Sequence, residues 1–241
     1  MGWQPRAISL ESRHFGSARH GPGRRRPRRS SIKTRDIRSH ASELTAHYLA
    51  TAVETVGSLD AACIDRIVQA LFEAWSARRT VFVAGNGGSA GTASHFAADL
   101  AKYTIQAGKP RFKVQCLNDN VPLVSAWTND GGFGSIYAEQ LEPWLEAGDV
   151  LVAFSVHGGS GAGDAGAWSQ NILRAVELAR GRGAVVIGFS GFGGGALAGM
   201  ADHCLTVPVL EPELGTPLVE SVHVLLHHLI VHELRELVAH A

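Results

Sequence analysis

Histidines and carboxylates recur at helical spacing in two segments of the chain. His95 and Asp99 lie four residues apart in GNGGSAGTASHFAADL, residues 85–100. Residues four apart share one face of a helix, and a His–carboxylate pair on one face can bind a metal ion or act as an acid/base pair. Glu220, His223 and the adjacent His227–His228 pair lie in PLVESVHVLLHHLIVHEL, residues 217–234. The apolar residues around them predict burial, so these polar groups need a partner: a metal, a substrate or one another.

The second segment leaves open which histidine faces the site. At about 100° per residue, Glu220, His223 and His227 fall on one stripe of a helix, whereas His228 is rotated from Glu220 by roughly 80°. Helical phase relative to Glu220 therefore slightly favours His227 over His228.

Two glycine-rich loops follow predicted strands. Gly85, Gly87 and Ala90 satisfy the dinucleotide pattern G-x-G-x-x-A. A dinucleotide site also needs an acidic residue about 20 positions after the glycines, at the end of the next strand. Here that strand ends further along the chain, at Asp119, which disfavours a dinucleotide site. The loop SVHGGSG, residues 155–161, offers hydroxyls and glycines that let backbone amides turn towards phosphate oxygens. It lacks the Gly-Lys-Ser/Thr end of a nucleotide P-loop, so a monophosphate is favoured, with a merely flexible turn as the alternative.

Short apolar runs alternate with helical patterns along most of the chain. These runs are continuous, as is typical of strands covered on both faces. They are TVFVA (80–84), FKVQCL (112–117), DVLVAFS (149–155), AVVIGF (184–189) and HCLTVP (203–208). The alternation predicts a parallel, doubly wound α/β sheet, with ligands at the carboxyl ends of its strands. Two amphipathic helices with a break near Gly57–Ser58 precede the sheet, and a helix from about Pro217 to His240 follows it.

Charge divides the 241-residue chain into a basic tail and an acidic body. Residues 1–38 carry eleven Lys and Arg against two acids, which leaves eleven basic and twenty acidic residues in the remainder. The stretch GPGRRRPRRSS, residues 21–31, has almost no apolar content and predicts disorder, with a nucleic-acid or membrane-surface contact as the alternative. We assign residues 1–35 to a disordered basic tail and residues 36–241 to one folded domain. The acidic body argues against nucleic acid as the main partner.

Composition also limits the class of protein. No run approaches the ~18 consecutive apolar residues of a membrane span, and the arginine-rich N-terminus lacks the apolar region of a secretory signal. We therefore expect a soluble, cytoplasmic protein with no membrane partner. Cys63, Cys116 and Cys204 lie in apolar runs without ligand spacing, so we expect small core residues and no disulfide framework.

The motifs GNGGSA, HFAADL, LNDN, TNDGGF, SVHGGSG and VESVHVLLHH, in this order, resemble those of the phosphoheptose (sedoheptulose 7-phosphate) isomerases of the SIS-domain superfamily. The likeness covers roughly residues 37–238, and the joint order is more specific than any one motif. It implies a flavodoxin-like, three-layer α/β/α fold with a five-stranded parallel sheet, and homotetramers with active sites at subunit interfaces. It also implies interconversion of sedoheptulose 7-phosphate and D-glycero-D-manno-heptose 7-phosphate, commonly with a divalent metal, zinc above all.

The resemblance implies roles for individual residues. The implied metal ligands are His95, Asp99, Glu220 and His228, of which Asp99, Glu220 and His228 are also the implied catalytic residues. The implied substrate and phosphate contacts are Asn86, Gly87, Ser89, Asp119, Ser155, His157, Gly158 and Ser160.

Three positions depart from the family pattern. Asp99 stands where the family has a longer Glu, Glu220 where it has a neutral Gln, and His157 where it has a phosphate-binding Ser. Glu220 could therefore share the role of base with Asp99. Extra sequence, Gly161–Ser169, follows the phosphate loop, and we expect Trp168 in it to lie near the sugar. The alternatives are an isomerase for another sugar phosphate and a non-catalytic SIS binding or adaptor protein. The donor set suits zinc but also manganese, iron or nickel.

Overall fold

A parallel five-stranded sheet forms the centre of the protein in the computed structural model. The structure describes residues 34–160 and 168–241, with side chains from residue 41 onwards. The strands are β1 (Thr80–Gly85), β2 (Lys113–Cys116), β3 (Val150–Phe154), β4 (Val185–Gly191) and β5 (His203–Val207). Their order is β2-β1-β3-β4-β5, and every pair is parallel. This is the flavodoxin-like order, so the predicted strands and the predicted fold are confirmed.

The helices also follow the predicted pattern. They are α1 (Thr34–Gly57), α2 (Ala61–Ser76), α3 (Gly88–Lys102), α4 (Val121–Gly131), α5 (Ala138–Leu141), α6 (Gln170–Gly181), α7 (Gly195–Met200) and α8 (Pro212–His240), with a 3-10 turn at Phe133–Ser135. The break after Gly57 is confirmed, and the Asp60 side chain accepts a hydrogen bond from the Cys63 N–H at 3.0 Å to cap α2. The expected start of α8 at Pro217 is wrong by five residues. Pro212 takes the first turn, where a missing N–H costs nothing, and Pro217 lies inside the helix.

Two hydrophobic clusters cover the two faces of the sheet. On one face, α2, α3 and α8 bury side chains such as Leu71, Phe96 and Leu226. On the other face, α5, α6 and α7 bury a second set of side chains, which includes Leu141, Val176 and Leu197. All five residues of β3 are buried, which explains its continuous apolar run. The three cysteines are free thiols that contribute to these clusters, as predicted.

Helix α8 is the one described helix that is long and apolar enough to cross a membrane, judged by length and composition. Half of its most apolar window is buried inside the protein. Val219, Leu226 and Ile230 of this helix belong to the hydrophobic cluster on the sheet. Helix α8 is therefore a core helix of the α/β sandwich.

The apolar stripe of α1 is largely exposed in the single chain. Leu44, Leu49 and Val53 are 55%, 60% and 75% exposed, whereas Val56 packs against the core. Residues Ser42–Ala241 form one compact unit, and the predicted disordered tail, residues 1–35, lies almost wholly outside the described residues. The stripe on α1 therefore remains available to a partner surface.

Candidate active site

Both glycine loops lie at the carboxyl ends of neighbouring strands. The loop after β1 turns at Gly87, which is the N-cap of α3. The φ of Gly87 is 56°, a positive value that glycine adopts readily. The loop after β3 turns at Gly158, with φ of 67°. A Cβ on Gly158 would overlap the carbonyl oxygen of Gly194, so this loop packs directly on backbone. The two loops thus meet where a doubly wound sheet binds its ligands.

A cavity of about 140 Å³ lies between the two loops. Its lining residues are Asn86, Ser89, Ser155, Val156, His157, Trp168 and Ser169. Ser155 is buried, and its Oγ lies 3.5 Å from the Oγ of Ser169. Ser89 belongs to the first turn of α3 and Ser169 is the N-cap of α6, so two helix N-termini, which favour anions, border the cavity. The cavity suits a phosphate group.

Aromatic rings form one side of this cavity. The His157 ring stacks on Phe192 at a centroid distance of 4.4 Å and meets Trp168 edge to face at 5.6 Å. Trp168 is held by Ser160: the Ser160 N–H donates to the Trp168 carbonyl, and the Trp168 N–H donates to Ser160 Oγ, both at 3.2 Å. The imidazole of His157 is therefore fixed in place at the cavity.

Four side chains of α3 and α8 converge on one point. Asp99 Oδ2 lies 3.5, 3.4 and 3.7 Å from the Nε2 atoms of His95, His227 and His228, respectively. One ligand-type atom from each of the four lies within 4.8 Å of all the others. We call His95, Asp99, His227 and His228 the histidine cluster.

His227 is the inner member of the histidine cluster. Its side chain is fully buried, whereas those of His95 and His228 are half exposed. Neither of its ring nitrogens has a hydrogen-bond partner among the described residues. Burial lowers the pKa of His227 to about 4, helped by the nearby His228 and His95 and opposed by Asp99. At neutral pH the ring is therefore uncharged, with a lone pair available to a cation.

The donor set of the histidine cluster fits a divalent metal. Zinc binds nitrogen and oxygen ligands at about 2.0–2.1 Å in tetrahedral sites, which places neighbouring ligands roughly 3.3 Å apart. The distances from Asp99 Oδ2 to the three imidazoles, 3.4 to 3.7 Å, are close to this spacing. A cation would also give a ligand bond to the buried ring of His227, which makes no hydrogen bond among the described residues.

Glu220 lies further along the groove between α3 and α8. Together with His95 it lines a pocket of about 310 Å³, whose other lining residues are Gly88, Gly91, Thr92, Ser221 and Val224. The Glu220 carboxylate occupies the space that a Cβ on Gly88 would need. Gly88, Thr92, His95 and Asp99 follow at three- and four-residue spacing and share one face of α3. The groove therefore follows this face from Glu220 towards the histidine cluster.

Comparison with known proteins assigns the family. Residues 46–191 match the family model of the SIS domain. The chain is similar to the phosphoheptose isomerase of Rhodospirillum rubrum, with 37% identity over 150 residues, 62% of this chain and 72% of that protein. The chain belongs to the phosphoheptose isomerase family. The predicted SIS-domain membership is thus confirmed, and with it the isomerase class of the family.

Two further proteins are similar to this chain. Lincomycin biosynthesis protein LmbN of Streptomyces lincolnensis is 54% identical over 160 residues, which are 66% of this chain and 57% of LmbN. The match thus spans less than two thirds of that relative. The structure of phosphoheptose isomerase GmhA from Neisseria gonorrhoeae has a TM-score of 0.69 at 24% identity and covers 83% of this chain and 99% of that chain. At this identity the likeness supports the fold alone.

The histidine cluster contains three of the four metal ligands that the family resemblance implies, namely His95, Asp99 and His228. It adds His227, the histidine that helical phase favoured. Adjacent residues of a helix point about 100° apart. The rings of His227 and His228 both reach Asp99 because α8 packs against α3 with this carboxylate between the two ring directions. Glu220 lies outside this four-residue cluster, and its role as a ligand stays a prediction.

The cavity between the loops contains four of the implied phosphate contacts, which are Asn86, Ser89, Ser155 and His157. Ser160 is not among the lining residues and instead bonds Trp168, while Ser169 stands beside Ser155. The sequence does not single out Ser169, because this residue stands at the end of the extra sequence, Gly161–Ser169, that follows the phosphate loop. Its position as the residue before a helix is the signal that could have found it.

The remaining implied contacts shape the loops or lie at the neighbouring strand. Gly87 and Gly158 provide the left-handed turns. Asp119 follows β2 and accepts a hydrogen bond from Ser94 Oγ of α3 at 2.7 Å. Their contact with a substrate stays a prediction, as does that of Ser160.

Proposed function

We propose that this protein isomerises sedoheptulose 7-phosphate to D-glycero-D-manno-heptose 7-phosphate through an enediolate, with a bound divalent metal, zinc in our assignment. The observation that carries the proposal is the convergence of three imidazoles on Asp99 along the same helix that borders the phosphate-sized cavity. His95 in the cluster follows Ser89 at the cavity by six positions along α3, a rise of about 9 Å. This separation is comparable to the length of an extended seven-carbon sugar phosphate.

The chemistry requires one proton to move between C1 and C2 and another between their oxygens. We assign the carbon-bound proton to a carboxylate, Asp99 or, as the alternative base, Glu220. His228 is half exposed and can exchange the hydroxyl proton, whereas the fully buried His227 can only support the cluster from within. A divalent cation held by His95, Asp99 and His228, with Glu220 or His227, would polarise the substrate oxygens and stabilise the enediolate charge.

The phosphate group would occupy the cavity between the glycine loops. Ser89, Ser155 and Ser169 offer hydroxyl donors there. The N-termini of α3 and α6 favour a negative charge, and His157 as an imidazolium would add a charge-assisted hydrogen bond. This arrangement would hold the sugar by its end and direct C1 and C2 towards the histidine cluster.

An isomerase for another sugar phosphate is the second candidate, and one comparison favours it. The 54% identical relative is named for lincomycin biosynthesis rather than for the heptose reaction. His157 and Trp168, whose rings are in contact, also line the cavity and would limit which sugar phosphate fits beside them. Values of kcat/KM for ketose phosphates of different chain length would distinguish the two candidates: a clear preference for another chain length would replace sedoheptulose 7-phosphate as the substrate.

We further propose a homotetramer with sites at the subunit interfaces. Leu44, Leu49 and Val53 on α1 and Leu225 and Leu229 on α8 are exposed in the single chain and would be covered by neighbouring subunits. Light scattering should give a mass four times the 25.6 kDa of one chain, and a monomer in solution would contradict this assembly.

The free thiols support a reducing compartment, the cytoplasm.

Substitution of the two proton-transfer residues tests the proposed function. Asp99→Asn and His228→Ala should each lower kcat by about 10²- to 10⁴-fold, while calorimetry should show unchanged binding of inorganic phosphate, because the cavity is untouched. His240→Ala is the matched control, since His240 is an exposed histidine near the end of α8, and should keep wild-type turnover. A near-wild-type kcat in either site variant would contradict its assigned role.

A further inference from the structure

A buried hydrogen-bond network holds the side chain of Asn86 at the edge of the phosphate cavity. Asn86 Nδ2 donates to Asn171 Oδ1 at 2.9 Å, and Asn171 Nδ2 donates back to Asn86 Oδ1 at 2.7 Å. The hydroxyl of Tyr137 lies 3.2 Å from the same Asn86 oxygen. Asn171 and Tyr137 are both fully buried, at 0% and 1% exposure. Asn86 is therefore contacted from two sides by groups that cannot turn away to water.

The backbone of α6 fixes which way the two amides face. The Ile172 backbone N–H, which can only donate, lies 2.9 Å from Asn171 Oδ1 and so identifies that atom as the oxygen. The Asn171 nitrogen must then face Asn86, and the Asn86 atom opposite it must be the acceptor oxygen. The orientation of both amides follows from this single backbone donor.

Tyr137 anchors the other side of the network. Its hydroxyl donates to the Gly85 carbonyl at 2.5 Å and accepts from Asn118 Nδ2 at 2.7 Å. Asn118 in turn bonds both the N–H and the carbonyl of Gly85, at 3.2 and 2.9 Å. Burial raises the pKa of Tyr137 to about 12, against the opposing bond from Asn118, so the hydroxyl stays protonated. Gly85, the residue before Asn86, is thereby fixed to the segment after β2 and to the residue that precedes α5.

We propose that Asn171 is a positioning residue that makes Asn86 a hydrogen-bond donor to the phosphate-bearing end of the ligand. A side-chain amide has two N–H hydrogens and one oxygen. The oxygen of Asn86 faces Asn171 and Tyr137, and one hydrogen faces Asn171, so the second hydrogen is left for the cavity that Asn86 lines. The amide pair also prevents the flip that would present an oxygen to an anionic ligand. The ligand class rests on the proposed function, but the role of Asn171 does not depend on turnover.

Inorganic phosphate provides a probe of this role without catalysis. In calorimetric titrations of the full, metal-loaded chain, Asn171→Leu should bind phosphate about 10-fold more weakly, because it removes both amide bonds at nearly constant size. With the sugar phosphate, KM should rise by about the same factor while kcat changes less than about twofold, since the donor acts equally on ground and transition states. Asn171→Asp keeps the acceptor for Ile172 and for Asn86 Nδ2, so it should retain part of the affinity.

A double-mutant cycle shows whether Asn171 acts through Asn86. Asn86→Ala should weaken phosphate binding about as much as Asn171→Leu, and adding Asn171→Leu to it should have no further effect. Gln69→Leu is the matched control, because this exposed amide on α2 bonds Glu73 at 2.8 Å; it should leave phosphate affinity unchanged.

Three results would overturn the role of Asn171. The first is a lower Tm of Asn171→Leu with unchanged phosphate affinity of the folded protein, which would show a structural residue only. The second is an undiminished effect of Asn171→Leu in the Asn86→Ala background, and the third is no phosphate binding by the wild type. If phosphate binding responds as expected but no sugar phosphate is isomerised, the proposed function fails and the role of Asn171 stands.

Discussion

Replacing His227 by leucine should stabilise the metal-free protein. Leucine has a similar volume and no polar atom, so the variant removes two buried ring nitrogens that make no hydrogen bond among the described residues; Nε2 lies 3.4 Å from the Asp99 carboxylate. A buried polar group left unsatisfied costs about 1–3 kcal/mol. We therefore expect the free energy of unfolding of chelator-treated protein to rise by about 1–3 kcal/mol, which for a unit of this size raises Tm by about 2–12 °C.

The same substitution should weaken metal binding. His227 Nε2 lies 3.4 Å from Asp99 Oδ2, as close as the other two imidazoles of the histidine cluster. Losing a group that only orients a metal ligand costs roughly 10- to 100-fold in affinity, so loss of a ligand should cost at least about 100-fold. Calorimetry of chelator-treated and zinc-loaded protein, with a competition titration for zinc affinity, measures both effects on one variant.

His223 provides the matched control for His227. It is also a fully buried histidine of α8, but its Nε2 bonds the Ser190 carbonyl at 3.1 Å and it lies outside the histidine cluster. His223→Leu should therefore leave zinc affinity unchanged. A His227→Leu variant that is less stable without metal and retains wild-type zinc affinity would refute the reasoning that His227 faces a cation.

Two further predictions concern pH and phosphate. Burial lowers the pKa of His223 to about 4, so below about pH 6.5 the unfolded chain takes up a proton that the folded protein does not. The free energy of unfolding should fall as pH decreases from 6.5 towards 4, by up to about 1.4 kcal/mol per pH unit for this residue. In urea titrations at several pH values, His223→Leu should reduce this dependence of the unfolding free energy on pH. An identical dependence in the variant would contradict the lowered pKa of His223. Ser169→Ala should weaken phosphate binding about 10-fold and Ser160→Ala much less, because Ser169 lines the cavity and Ser160 does not. Calorimetry measures both affinities. If Ser160→Ala weakened binding more than Ser169→Ala, Ser160 would be the phosphate contact.

The fold was predictable because the central strands β1, β3 and β4 are continuous, mostly buried apolar runs, whereas the edge strand β2 exposes Lys113 and Gln115. Burial on both faces of a parallel sheet requires such runs, and the helices between them leave few alternative topologies. The start of α8 was not predictable in the same way, since Pro212 and Pro217 both suit a helix start and local sequence does not choose between them. The stripe Leu44, Leu49 and Val53 shows a further limit: helical periodicity identifies an apolar face but not whether it is covered within one chain.

The candidate site was predictable where its residues share one helix. His95 and Asp99 are neighbours because residues four apart on α3 must be. That His227 and His228 both reach Asp99 depends on how α8 lies on α3, and sequence period carries no information about that packing. The place of Ser169 beside Ser155 likewise depends on where α6 begins after the insertion, and the order of residues in the motif does not give it.

Isotope exchange tests the isomerase proposal most directly. Metal-reconstituted protein would be incubated with sedoheptulose 7-phosphate in D₂O, the carbon-bound protons followed by NMR, and a chelated sample measured in parallel. We predict an aldoheptose 7-phosphate and deuterium at the reacting carbons, both lost on chelation. Neither product nor deuterium, in protein shown to be folded and to contain metal, would contradict the proposed reaction.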